Sequence, residues 1–147
     1  MKTEIRRALK EDLPALALLE KEHEGYPAWG EKGLAAELEK SFSVVLLLKC
    51  EGETAGFMNF WIMRPRLEIN SVVVSKKHLR KGCAGRLLEK MLEYAEKNGC
   101  SLIDLEVSEK NLPAVTLYSK AGFREIGRRP KYYNNTYDAL LMRMEIR

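Results

Sequence analysis

Cysteine is scarce in this chain. The three thiols, Cys50, Cys83 and Cys100, are odd in number and stand at no metal-ligand spacing. A reduced setting follows more simply than a disulfide framework. The two histidines, His23 and His78, are far apart in sequence and have no third ligand type at metal spacing, so no metal site is expected. No apolar run approaches the roughly 20 residues that span a bilayer, so no membrane association is expected. The opening Met1-Lys2-Thr3-Glu4 has no apolar leader segment, and a cytoplasmic location is expected. The net charge of +4 is mild. The basic residues are dispersed apart from a loop around Arg80 and the stretch 124–131, so direct nucleic-acid binding is not expected. Two phosphate signatures are missing as well. Neither G-x-x-x-x-G-K-[ST] nor G-x-G-x-x-G occurs, which excludes a Walker loop and a dinucleotide fingerprint. Repeats, linkers and low-complexity segments are absent. The 147 residues therefore read as one domain, 1–147, able to bury about two thirds of its unfolded surface.

The patterns present alternate between the strand and helix periods. Residues 3–9 read as a strand. Residues 12–24 read as an amphipathic helix with Asp12 as cap and Pro14 in its first turn, and residues 31–40 as a second helix. Residues 43–50 and 54–63 read as strands joined by the tight turn Glu51-Gly52-Glu53. A strand at 67–75, a helix at 82–97, a strand at 101–107, a short helix after Asn111 and strands at 123–128 and 137–146 complete the order. This order predicts an α/β (α+β) sandwich. Its mixed, mainly antiparallel sheet has about seven strands, with helices on both faces. The pair flanking the 82–97 helix must be parallel.

Two segments carry chemistry. The first is Leu79-Arg80-Lys81-Gly82-Cys83-Ala84-Gly85-Arg86, which follows the apolar run Val72-Val73-Val74 and opens a helix. Gly82 and Gly85 let backbone N–H groups approach a ligand without a Cβ in the way. The helix start adds unpaired donors and partial positive charge. Arg80, Lys81 and Arg86 add full charges. The segment is either an anion cradle suited to a pyrophosphate or a glycine-containing cap with a solvated basic rim. Cys83 is a small filler there, or a thiol whose pKa the helix start lowers.

The second segment runs from Asn111 to Phe123 and has the form N-x-x-A-x-x-L-Y-x-x-x-G-F. Asn111 suits an N-cap, Pro113 the first turn, and Gly122 the left-handed position after the helix. Ala114, Leu117 and Tyr118 share one face. Tyr118 is then either a core side chain or a hydroxyl held above a strand–helix crevice. Just upstream, alternation places Ile103, Leu105 and Val107 on one face of a strand and Leu102, Asp104 and Glu106 on the other. Read from the residues alone, Glu106 is a solvated or ion-paired carboxylate, or a group at the crevice where α/β sheets hold ligands.

In this order and spacing the two motifs resemble the GNAT superfamily of acetyl-CoA-dependent N-acetyltransferases. Leu79 to Ala84 stands where that family has [Q/R]-x-x-G-x-[G/A]. Leu79 departs from the usual Gln or Arg, and weaker cofactor affinity is expected from that. The Asn111 segment matches at every fixed position. Leu105-Glu106-Val107, Gly127-Arg128-Arg129-Pro130-Lys131-Tyr132-Tyr133, Asp138-Ala139-Leu140-Leu141-Met142 and Pro27-Ala28-Trp29 look like the RimI branch. That branch acetylates the N-terminal alanine of ribosomal protein S18.

The resemblance implies acetyl-CoA as co-substrate and no metal. It implies cofactor contacts from Val72, Val73, Val74, Arg80, Lys81, Gly82, Cys83, Ala84, Gly85 and Asn111. Glu106 would be the general base and Tyr118 the acid for the leaving thiolate. Tyr132 and Tyr133, in the connection between the last two strands, would clamp an acceptor peptide, with Trp29 and Tyr26 opposite. A protein N-terminus, S18 in particular, is the implied partner, and a monomer or weak homodimer the expected state. Acceptor basicity agrees. Deprotonation at neutral pH costs roughly 1–1.5 kcal/mol for an α-amine (pKa ~8) and roughly 4–5 kcal/mol for lysine (pKa ~10.4). A lysine or small-amine acceptor, or an acyl-CoA-binding domain without turnover, stays open at this point.

Overall fold

The apolar run 44–48 is buried on both faces, and this sets the architecture. Val44, Leu46 and Leu48 enter one core, and Val45 and Leu47 another on the opposite side of the strand. A sheet buried on both faces needs helices on both. The computed structural model describes residues 2–23, 28–133 and 136–146. Its strands are β1 (Thr3–Arg7), β2 (Ser43–Cys50), β3 (Glu53–Met63), β4 (Arg66–Val74), β5 (Leu102–Ser108), β6 (Arg124–Tyr133) and β7 (Tyr137–Glu145). The helices are α1 (Leu13–Lys21), α2 (Gly30–Glu39), α3 (Cys83–Lys97) and α4 (Leu112–Ala121). One seven-stranded sheet has the order β1-β2-β3-β4-β5-β7-β6. Every pairing is antiparallel except β4 with β5.

The larger core lies between the sheet and α3 with α4. Leu87, Leu88, Met91 and Ala95 of α3 meet Phe60, Leu67, Ile69, Ile103 and Leu105, and Tyr118 and Phe123 close it below α4. The smaller core joins Leu13, Leu16, Leu19 and Leu34 to Val45, Leu47, Phe57 and Val73. Here α1 and α2 pack over β2 to β4. Truncating a fully buried aromatic such as Phe57 or Phe60 is expected to cost about 3–5 kcal/mol.

Two interruptions of the ladder position the site. The first is a bulge in β4. Ile69 pairs with Phe60 and Ser71 with Asn59, leaving Asn70 as the extra residue. A bulge flips the alternation, so Leu67 and Ile69 share their core with Val72 and Val74 rather than with Val73. Asn70 is not left idle. Its amide donates to Asn59 Oδ1 at 3.1 Å, and Asn59 donates in turn to Ser43 Oγ at 2.8 Å. The second interruption is a parting of strands. β4 and β5 keep four parallel rungs, from Arg66↔Leu102 to Ile69↔Leu105, and then separate.

Several sequence expectations shift. Asp12 does not cap α1. A 3-10 turn over Lys10–Asp12 precedes that helix, and the Asp12 carboxylate turns back to the Leu9 N–H (2.7 Å) and to Arg6 (2.8 Å). The guanidinium offers a stronger, charge-assisted partner than a helix-start amide. Tyr132 and Tyr133 do not lie in a connection, because β6 runs on through Tyr133. Lys131 sits at φ 51° there, and the β6–β7 register slips between Arg129 and Tyr133. Tyr26, the Tyr133 side chain and the end of the first predicted helix at Glu24 lie outside the described residues.

Candidate active site

The parting of β4 from β5 leaves an open strand edge. Ser75 N–H donates to Ala55 O across the β3 side at 2.7 Å. Bonded pairs alternate in an antiparallel ladder, so Val73 also faces β3. Val72 and Val74 turn their N–H and C=O groups to the open edge. Of the three valines expected to contact the cofactor, Val73 therefore directs its backbone groups away from the gap. His23 Nε2, at the end of α1, lies 2.7 Å from Val74 O on this edge.

The edge leads into the glycine loop. Arg80 (φ 63°) and Gly82 (φ 77°) both adopt the left-handed conformation, and Gly82 is the cap residue of α3. No side chain caps that helix. The first helical bond runs from Arg86 N–H to Gly82 O at 3.0 Å, so the N–H groups of Cys83, Ala84 and Gly85 lie ahead of it as the helix's unpaired donors. A Cβ built on Gly82 or Gly85 would meet nothing within 4 Å, so open space lies above both. Arg80, Lys81 and Arg86 are exposed around it. Unpaired donors, open space and three cations fit a pyrophosphate. Leu79, where the motif usually has a polar residue, is 48% exposed. Cys83 is buried, and burial pushes its thiol pKa up, more than Arg86 and Lys81 pull it down. The lowered-pKa alternative is thereby corrected, because burial disfavours the charged thiolate.

The second motif forms as its residues predict. Ala114 N–H donates to Asn111 Oδ1 at 3.3 Å, Pro113 lies in the first turn, and Gly122 closes the helix at φ 110°. This places Asn111 as the α4 cap. Tyr118 is buried, edge-on to Phe123 with ring centroids 5.7 Å apart.

β5 supplies the carboxylates. Ile103, Leu105 and Val107 are buried toward α3 and α4, while Asp104 and Glu106 lie on the other face. Glu106 is the first β5 residue beyond the last β4 rung. Asp104 is fully engaged. Arg143 Nε and Nη2 donate to it at 2.7 and 3.0 Å, and Arg66 lies at 3.5 Å. Arg143, aided by Arg66, holds the Asp104 pKa below the usual carboxylate range despite partial burial. Glu106 is exposed and pairs with Arg129, Nη2 to Oε1 2.9 Å. Tyr132 flanks this pair, its ring centroid 5.5 Å from the Arg129 guanidinium carbon.

Trp29 packs against the smaller core, and its backbone N–H donates to Glu20 Oε2 at 2.8 Å. Gly30 N–H donates to Glu20 Oε1 at 3.0 Å, so a buried carboxylate on α1 holds the start of α2.

Arg129, His23 and Glu20 escaped the sequence reading. The signal for Arg129 was present but needed the register. Cross-strand partners share a face, and Glu106↔Leu141, Gly127↔Leu141 and Arg129↔Ala139 put Arg129 on the Glu106 face.

Strand parting, a donor-rich helix start and a buried tyrosine fit an acyl-CoA-dependent transferase. The chain belongs to the acetyltransferase (GNAT) family, whose model matches residues 4–123, and it is an acetyl-CoA-dependent N-acetyltransferase. It is 30% identical over 138 residues to the [ribosomal protein bS18]-alanine N-acetyltransferase of Escherichia coli K12, covering 92% of each chain. The crystal structure of the ribosomal-protein-S18-alanine N-acetyltransferase from Escherichia coli superposes with a TM-score of 0.90 at 27% identity. The match covers 99% of this chain and 94% of that one. The PaiA N-acetyltransferase of Thermoplasma acidophilum, in complex with coenzyme A, shares the fold. Its TM-score is 0.86 at 20% identity, covering 99% of both chains.

Proposed function

We propose that this enzyme acetylates the α-amine of a protein N-terminus, with N-terminal alanine of ribosomal protein S18 as acceptor. The observation that carries the catalytic reading is the position of Glu106. It stands one residue past the last β4–β5 rung, on the face not covered by α3 and α4, while the neighbouring carboxylate Asp104 is tied to Arg143. The similarity to the bS18-alanine enzyme along nearly the whole chain supports the acceptor.

Acetyl-CoA supplies an activated acetyl thioester. In this reading the N–H groups of Gly82 to Gly85, with Arg80, Lys81 and Arg86, hold its pyrophosphate. The open-edge groups of Val72 and Val74 align its pantetheine arm, and one N–H polarises the thioester carbonyl. Asn111 fixes the α4 start and so the height of Tyr118. Glu106 accepts the proton of the attacking amine. Tyr118 gives its proton to the departing sulfur. Trp29 and Tyr132 flank the acceptor. Cys83, buried and poorly ionised, has no nucleophilic part, and transfer is direct in a ternary complex.

Thiol release from acetyl-CoA tests the acceptor in three parallel assays. One uses an Ala-starting S18 peptide with its lysines blocked, one an N-terminally blocked peptide with free lysine, and one a polyamine mixture. Turnover on the first alone is the expected result. Turnover confined to the others would overturn the α-amine assignment. Replacing Glu106 by Gln should lower turnover about 10²-fold or more, the range of general-base catalysis. Full activity would remove it as the base.

A further inference from the structure

The ion pair between Glu106 and Arg129 poses a chemical problem. The 2.9 Å contact occupies Oε1 of the carboxylate assigned as proton acceptor. The two residues are not on adjacent strands, because β7 lies between β5 and β6. Arg129 faces Ala139, Glu106 faces Leu141, and the guanidinium reaches diagonally across β7. Ala139 carries only a methyl group there, so a long side chain can cross the strand. Tyr132 flanks the same guanidinium at 5.5 Å. Between the two, Lys131 at φ 51° and the slipped β6–β7 register bring Tyr132 round to it. Arg129 therefore already lies against an aromatic ring, which keeps hold of the guanidinium when the carboxylate is given up. Both residues of the pair are open to solvent, Glu106 at 30% and Arg129 at 56% of side-chain surface. Such a pair exchanges partners at little cost.

We propose that Arg129 is a charge-exchange latch on Glu106. It holds the carboxylate until the ammonium group of an acceptor takes its place. This rests on Glu106 being the base. An α-amine with a pKa near ~8 is mostly ammonium at neutral pH, so the arriving group carries the same charge as the guanidinium it replaces. The exchange transfers no proton. Arg129 stays on Tyr132 as it lets the carboxylate go, and the ammonium is left against Glu106. Glu106 takes one proton from the ammonium and releases it to solvent, and the neutral nitrogen, its lone pair now free, bonds to the thioester carbon. As the carbon–sulfur bond breaks, Tyr118 gives its proton to the sulfur, and the nitrogen's second proton leaves through Glu106 and balances the one Tyr118 gave. Water and hydroxyl groups carry no charge and do not displace the guanidinium. The latch therefore disfavours hydrolysis of acetyl-CoA when no acceptor is bound. Arg129 acts through Glu106 and is a positioning residue.

The test compares wild type, Arg129→Ala and Arg129→Lys, each with intact Glu106 and with Glu106→Gln. Three quantities are read: kcat and KM for the Ala-starting peptide, and thiol release from acetyl-CoA alone. With Glu106 intact, Arg129→Ala should lower the acceptor KM and raise acceptor-free thiol release, each by up to about fivefold, the scale of an exposed ion pair. Arg129→Lys should return both toward wild type. In the Glu106→Gln background neither change should appear. Unchanged KM and unchanged acceptor-free release in Arg129→Ala would overturn the latch, whatever happens to kcat. The same effects persisting without the Glu106 carboxylate would overturn it too. Full turnover by Glu106→Gln alone would instead overturn the base assignment.

Discussion

Arg143 grips Asp104 with two parallel hydrogen bonds, Nε to Oδ1 at 2.7 Å and Nη2 to Oδ2 at 3.0 Å. Asp104 and Glu106 stand two residues apart on one face of β5, and this grip divides their work. A carboxylate held bidentate by a guanidinium is a poor proton acceptor, because protonation would break the pair. Asp104→Asn should therefore keep turnover per folded molecule within about twofold of wild type, well short of the roughly 10²-fold or greater loss expected for a general base. The pair should show itself in stability. Arg143 lowers the Asp104 pKa, so the stability it contributes is present above the ordinary carboxylate range. That stability is lost as pH falls through the lowered value, beneath the ordinary carboxylate range. Urea midpoints at pH 7 and in acid should fall further apart in wild type than in Asp104→Asn. Equal separations would mean that the pair contributes nothing.

Tyr118 is buried in the larger core, and its ring packs on Phe123. Tyr118→Phe keeps the ring and loses only the hydroxyl. Turnover should drop about 10²-fold or more if the hydroxyl is the acid, with acetyl-CoA affinity held within about twofold. Isothermal titration beside steady-state kinetics would separate the two. Lost affinity with normal turnover would place Tyr118 among cofactor contacts only.

Gly82 and Asn111 cap different helices, and their variants should fail differently. Gly82 sits at φ 77° with open space where a Cβ would go. Gly82→Ala therefore strains the backbone by roughly 1–2 kcal/mol without a clash, and the acetyl-CoA KM should rise. Asn111→Ala removes the α4 cap at about 1 kcal/mol. It should lower kcat through Tyr118 more than it raises that KM. Steady-state constants for the two variants decide between cap and cofactor contact at Asn111.

Glu20 is 1% exposed, and its two oxygens accept the N–H groups of Trp29 and Gly30. Glu20→Ala leaves both donors without their carboxylate and should cost about 1–3 kcal/mol. Loss of Trp29 order should also raise the acceptor KM if Trp29 lines the groove. A thermal melt and acceptor titration of the same variant report on both.

Cys83 lies inside the cradle but is 2% exposed, and burial raises its thiol pKa. Iodoacetamide should inactivate the native enzyme no faster than it inactivates Cys83→Ala. Faster loss in wild type would mean that the thiol is accessible.

Much of the fold was legible because local rules act alone there. The α4 segment formed as predicted, since cap, proline and left-handed glycine each act within one turn. The double burial of β2 showed as an unbroken apolar run. The β4 bulge was less open to reading. Leu67 and Ile69 keep one parity and Val72 and Val74 the other, with polar Asn70 and Ser71 between. That change of phase was present in the letters but blends into a short apolar run. Asp12 failed as a cap because Arg6, on a different strand element, competes for its carboxylate.

Taken alone, the sequence determined which elements exist, where α3 and α4 begin, and which residue types could cradle a pyrophosphate, because caps, turns and periodicities depend on neighbours a few residues away. Only the tertiary structure decided which of the two β5 carboxylates is gripped by two hydrogen bonds and which meets a single exposed guanidinium. Asp104 meets Arg143 from β7, and Glu106 meets Arg129 from β6, one strand further out. Those meetings depend on strand order and register across segments some 20 to 40 residues apart in the chain, and no local pattern encodes that separation.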